Sequence, residues 1–80
     1  MPQAEFDIYP VPANSELNVR AVGMNSLVDY WVTDATGSVV LNGSVNGNSG
    51  MIDIEGLESG VYMLQIGQGK SLRSRRFVVL

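Results

Sequence analysis

The stretch IDIEGLESGVYMLQI, residues 52–66, decides the fold class. Apolar residues alternate with polar ones before residue 56, and large apolar residues recur at every second position after residue 60, as expected of two strands that each bury one face. Gly56 and Gly60 bound the segment between them, which we expect to be the connection between the strands. The residues predicted to be buried are Ile52, Ile54, Tyr62, Leu64 and Ile66.

Period-two alternation recurs along the rest of the chain, and helical periodicity is missing. Turn chemistry separates the strands: DATGS places Gly37 where a tight hairpin turn needs a positive φ, and NGNSG, residues 46–50, predicts a second hairpin. We therefore expect an all-β fold, an immunoglobulin-like antiparallel β-sandwich of about seven short strands, with a small barrel as the alternative. The further residues expected to face inward are Ile8, Leu17, Val19, Val28, Tyr30, Val32, Val39 and Leu41.

The length of 80 residues indicates one domain. Residues 6–80 are expected to form the sandwich, and residues 1–5 to be a linker or an expression remnant. Pro10 and Pro12 cannot donate backbone hydrogen bonds, so this part of the chain is expected to be stiff and to stay out of a central strand.

Charge is distributed unevenly: residues 70–80 hold four of the five cations and none of the eight acidic residues. The four are Lys70, Arg73, Arg75 and Arg76. Two interpretations remain open. The basic end could be recognised by a partner, or cations on an exposed strand could block edge-to-edge aggregation.

The composition argues against catalysis, because the chain has neither cysteine nor histidine. Thiolate nucleophiles, zinc–thiolate sites and the commonest general base are therefore excluded, and we expect no enzyme, no catalytic residue and no cofactor. Asp53 and Glu55 supply too few oxygens for calcium, so no metal site is expected. The acidic body disfavours nucleic acid, and no apolar run is long enough for a transmembrane segment.

Three apolar residues, Trp31, Val61 and Met63, fall on strand faces assigned to solvent. They predict either an exposed patch that suits a partner or an error of phase in one strand. Loops that cover them are a further alternative.

Four segments occur in a recognisable order: YPVPANSELNV, VTDATGSVVL, IDIEGLESGVYMLQI and the basic RRFVVL. Together they resemble the C-terminal sorting domain of type IX secretion, also called the Por secretion system, found at the ends of cargo proteins in Bacteroidetes. The residues that match the motifs of this family are Pro10, Pro12, Ala13, Leu17, Val19, Asp34, Gly37, Leu57, Gly60, Val61 and Tyr62.

The resemblance implies a function for the basic end, which would be recognised by the secretion machinery. The residues concerned are Arg75, Arg76, Phe77, Val78, Val79 and Leu80. The implied partners are the type IX translocon, an outer-membrane shuttle protein, a sortase that removes the domain, and a cargo domain N-terminal to it. The resemblance further implies a Gram-negative bacterium, in which the cargo would pass through the periplasm to the cell surface or the exterior.

Two alternatives stay open beside the sorting signal. A passive or carbohydrate-binding β-sandwich module of a secreted protein would share the fold, and Trp31 would suit the latter. Weak self-association through an uncapped sheet edge is also open.

Overall fold

The computed structural model describes residues 6–10, 15–21, 26–68 and 71–80. These residues form seven strands and no helix, as the alternation predicted. The strands are β1 (Phe6–Tyr9), β2 (Glu16–Ala21), β3 (Leu27–Thr33), β4 (Val39–Asn46), β5 (Gly50–Asp53), β6 (Gly60–Gln68) and β7 (Ser71–Val79). Three groups of predictions, on residues 1–5, on Pro12 with Ala13, and on Lys70, fall outside the described residues.

The strands form two antiparallel sheets, in the orders β1-β2-β5 and β4-β3-β6-β7. Alternate residues of both sheets point into one shared core, so the predicted immunoglobulin-like sandwich is confirmed. β6 is central, because it pairs with β3 on one side and with β7 on the other. The core residues are Ile8, Leu17, Val19, Val28, Val32, Val45, Ile52, Ile54, Tyr62, Leu64, Ile66, Phe77 and Val79.

The first strand lies at an edge of the three-stranded sheet and ends directly before Pro10. Its last carbonyl, on Tyr9, accepts a hydrogen bond of 3.1 Å from the Asn18 side-chain amide on β2. The ladder with β2 ends at Tyr9, so Pro10 lies just beyond it and its missing N–H removes no hydrogen bond from the ladder.

The segment at residues 46–50 is not a hairpin, so that prediction was wrong. β4 pairs with β3 and β5 pairs with β2, so the chain changes sheets at this point. Glycine is needed at the corner: a Cβ on Gly50 would lie 2.6 Å from the Asn46 carbonyl oxygen and 2.7 Å from the Val45 Cβ. Local turn chemistry predicts a reversal, but it does not specify which sheet the next strand joins.

Val39 is the second correction, because it faces solvent with 54% of its surface exposed. The β3–β4 ladder shifts register between Val32 and Thr33, which pair with Leu41 and Val39 and leave Val40 as an extra residue. Because the bulge inserts one residue between Leu41 and Val39, Val39 points to the face opposite to the one that simple alternation predicts. Leu41 lies on the other side of the bulge and packs against the core as expected.

The β3–β4 hairpin has the predicted turn, with Gly37 at a φ of 90°. Asp34 organises it: one carboxylate oxygen accepts hydrogen bonds from the Thr36 hydroxyl at 2.6 Å, the Thr36 N–H at 2.9 Å and the Ser38 N–H at 3.1 Å. The hydroxyl of Thr36 is the main cause that lowers the pKa of Asp34 below its ordinary value of 3.8, and the Ser38 N–H is the next.

This turn predicts a pH dependence of stability. Since the folded pKa of Asp34 lies below the unfolded one, the carboxylate stabilises the fold above pH 3.8, and this contribution is lost as the pH falls through the lowered value. Asp34→Asn should therefore lower the melting temperature most at neutral pH, and the difference from wild type should narrow in acid. Thermal melts from pH 7 to 2 test this. Glu58→Gln removes an exposed carboxylate as the control, and a difference for Asp34→Asn that stays constant with pH would contradict the prediction.

Candidate recognition surface

β7 lies at one edge of the four-stranded sheet and has β6 as its partner in the ladder. Its other backbone edge pairs with no strand in the described part of the chain. An edge of this kind is a template to which an extended segment of another protein can add. The strand predicted to be recognised therefore occupies a position that permits recognition.

Side chains of β7 alternate between the core and the surface. Phe77 and Val79 are buried, and the ring of Phe77 stacks on Tyr62 with centroids 5.7 Å apart. Arg76 is exposed, Val78 is half-buried, and Leu80, just after the strand, has 73% of its surface exposed. Of the residues predicted to be recognised, Phe77 and Val79 thus belong to the core of the folded domain.

The neighbouring arginines of the basic end point to opposite faces of the sheet. Arg75 pairs with Leu64 and therefore lies on the inner side, at the open rim of the sandwich, whereas Arg76 pairs with Met63 on the outer side. The Arg75 guanidinium lies 4.0 Å from the Asp7 carboxylate, and both side chains are well exposed. An exposed pair of this kind contributes at most about 1 kcal/mol, so it links β7 to β1 only weakly.

Arg73, two residues earlier, faces the inner side as well, opposite Ile66. Its Nη1 atom is buried and has no hydrogen-bond partner among the described residues.

The outer face of β6 and β7 carries a patch that combines apolar groups with one cation. Val61 lies opposite Val78, and Met63 lies opposite Arg76. We call these four residues the β6–β7 patch. A shallow groove runs from it to the β3–β4 turn, lined by Thr33, Asp34, Ala35, Gly37, Val61, Tyr62, Met63 and Arg76.

The outward assignment of Trp31, Val61 and Met63 is thereby confirmed. Val61 is 47% exposed, and the other two are partly exposed on the outer face. The phase of these strands was correct. The surface therefore holds apolar side chains that the fold does not need for its core.

Most of the described family-motif residues support the fold instead of the surface. Leu17 and Val19 are in the core, and Leu57 packs against it. The Tyr62 hydroxyl donates a hydrogen bond of 2.6 Å to the Glu58 carbonyl, four residues earlier, where the chain crosses between the sheets. This is a tyrosine corner, a feature of immunoglobulin-like sandwiches. Among the described motif residues after residue 56, Val61 is the exposed apolar one.

The sequence patterns did not predict that the residues of the β6–β7 patch are neighbours, although the length of the connection between the two strands could have predicted it. Gln68 pairs with Ser71, so two residues connect β6 to β7. Counting outward from a two-residue hairpin pairs Val61 with Val78 and Met63 with Arg76. The GQGK segment predicted the reversal, but the register needed the length of the loop.

The described residues hold no group of three or more side chains that could bind a metal ion. In the same part of the chain, no helix is long and apolar enough to cross a membrane.

The fold and this surface define a class: an immunoglobulin-like sandwich whose last described strand supplies core residues and lies at the edge of its sheet. The family of the secretion system C-terminal sorting domain matches residues 7–80, and the chain belongs to that family. A search of curated proteins gave no match.

Membership in the family gives the domain its general role. It is a C-terminal sorting signal of type IX secretion, which implies a cargo protein and the secretion system as partners. It also implies export to the cell surface or the extracellular space. The family is not a family of enzymes.

Proposed function

We propose that the domain folds in the periplasm and directs a cargo domain, N-terminal to it, through the translocon in the outer membrane. Residues 1–5 belong to the linker toward that cargo. The domain serves as ligand of the translocon and its shuttle protein, then as substrate of a cell-surface sortase, and it has no catalysis of its own. The observation that carries the proposal is the position of β7 as the edge strand of the four-stranded sheet, among the strands that the structure describes.

Within β7, the recognition residues divide into two roles. Arg76, Val78 and Leu80 contact the machinery directly, because they are at least partly exposed on the outer side or beyond the strand. Arg75, at the rim, adds positive charge that steers an acidic partner toward the edge. The remaining two residues, Phe77 and Val79, act by holding the strand in place.

Arg76→Gln is the direct test of this division. The change removes one charge from the outer face while the paired neighbour Met63 keeps its place in the sheet. In a reporter cargo fused to the domain, we expect less reporter on the cell surface and more in the periplasm. Binding to the purified machinery should weaken at least about fivefold, as for the loss of a 1 kcal/mol interface contact.

Arg20→Gln provides the matched control. Arg20 is also exposed on a strand, but it lies on β2 in the other sheet, so the variant changes the net charge equally at a distance from β7. Both variants should keep the melting temperature of the wild type. Equal surface display of the two variants would show that recognition does not depend on the position of the cation.

A further inference from the structure

Trp31 lies at the centre of a polar row that crosses the outer face of the four-stranded sheet. Its cross-strand neighbour on β4 is Asn42, and its neighbour on β6 is Gln65. Gln65 in turn lies opposite Ser74 on β7. Directly opposite residues of an antiparallel sheet are close enough for their side chains to act on one ligand.

The accessibility of these groups suits a ligand on the sheet surface. Trp31 is half-buried, so its ring is held by the sheet and still reaches solvent, whereas Asn42 and Gln65 are both exposed. A shallow groove lies on the β4 side of the indole, lined by Asp29, Tyr30, Trp31, Asn42, Gly43 and Ser44.

We propose that this row binds a neutral oligosaccharide or polysaccharide chain. An indole offers an apolar surface for the C–H face of a pyranose ring. The amides on both sides of it each offer a donor pair and an acceptor, which match the hydroxyl groups around such a ring. One aromatic ring flanked by two amides thus offers both kinds of contact that a sugar ring can make.

The charge of the groove favours a neutral glycan over an anionic one. Asp29 is the one charged residue that lines the groove in the described part of the chain, and its carboxylate accepts a hydrogen bond of 3.1 Å from the Ser44 hydroxyl. A carboxylate at this position repels phosphate, sulfate and uronate groups. The same carboxylate and Ser44 remain suitable partners for sugar hydroxyls.

The centre of the site, Trp31 with the groove toward β4, lies away from the β7 edge, so the inference goes beyond the sorting function. Trp31 belongs to β3, which β6 separates from β7 in the sheet. Until the sortase of the proposed function removes the domain, this site would hold the cargo near neutral glycans at the cell surface. Its loss should leave recognition by the secretion machinery unchanged.

Because Trp31 is the chain's single tryptophan, its fluorescence reports on the site alone. The isolated domain is titrated with neutral hexasaccharides of glucose, mannose and N-acetylglucosamine, and with a polyuronate as the anionic comparison. We expect at least one neutral sugar to change the emission in a saturable way, and the polyuronate to have no effect. Unchanged emission with every neutral sugar overturns the proposal, as does a response to the polyuronate alone.

Variants then locate the binding. Asn42→Ala and Gln65→Ala should each weaken it about three- to tenfold, which corresponds to the loss of one hydrogen bond. Asn48→Ala, an exposed amide in the β4–β5 connection, is the matched control and should bind as wild type does. Equal affinities for all three variants would overturn the site, and melting temperatures check that each variant is folded.

Discussion

Phe77→Ala should lower the free energy of unfolding by about 3–5 kcal/mol, the range for removing a buried aromatic ring. The side chain is 1% exposed, and its ring stacks on Tyr62. Small domains have total stabilities of only about 5–15 kcal/mol, so the variant should be largely destabilised. Urea denaturation followed by circular dichroism gives the difference.

Val78→Ala is the adjacent control. It removes apolar surface from the same strand, but from a half-buried side chain on the outer face, so we expect a clearly smaller loss of stability. Equal losses for the two variants would mean that β7 does not dock as described. The contrast also bears on experiments that delete residues 75–80, because such a deletion removes part of the core together with the recognition surface.

The tyrosine corner carries the second large effect. Tyr62→Ala should cost about 3–5 kcal/mol, because it empties a core position and removes the partner of the Phe77 ring. Tyr62→Phe keeps the ring and loses the hydrogen bond to the Glu58 carbonyl, so it should cost about 0.5–1.5 kcal/mol. Equilibrium unfolding of the two variants separates the contribution of the ring from that of the hydroxyl.

The position of this hydrogen bond predicts which part of the domain Tyr62→Phe should destabilise. Hydrogen exchange should accelerate first in residues 54–60, where the chain crosses between the sheets, while the β6–β7 ladder stays protected. Wild-type stability in Tyr62→Phe would show that the hydrogen bond does not hold the corner. In the double variant Tyr62→Ala with Phe77→Ala, the loss in the free energy of unfolding should be smaller than the sum of the two single losses, because the two rings are in contact.

The alternation of residues predicted which side chains of a strand face the core. In β6, Tyr62, Leu64 and Ile66 were correctly predicted to lie in the core, but the apolar residues Val61 and Met63 on the other face left the phase open at the sequence level. Motif order predicted the family, and the match over residues 7–80 confirms it.

The pairing of the strands and the connections between them were harder to predict. The corner at Gly50 and the bulge at Val40 both depend on which strands become neighbours, and that is a matter of tertiary packing. The recognition surface illustrates the same limit: RRFVVL does not alternate, and only its pairing with β6 determines that Phe77 faces inward with Tyr62. The contacts of Arg76, Val78 and Leu80 with the secretion machinery stay a prediction.

The shared use of β7 has a consequence for proofreading of export. A ribosome makes this strand after all the other described strands, and the strand supplies both Phe77 to the interior and Arg76 to the exterior. A polypeptide that stops before residue 77 lacks Val78 and Leu80 of the outer side. A polypeptide in which Phe77 does not dock in the core loses the arrangement of Arg76 and Val78 on the sheet surface. If the secretion system reads β7 as proposed, it would reject chains whose sorting domain is incomplete or misfolded, without a separate inspection step.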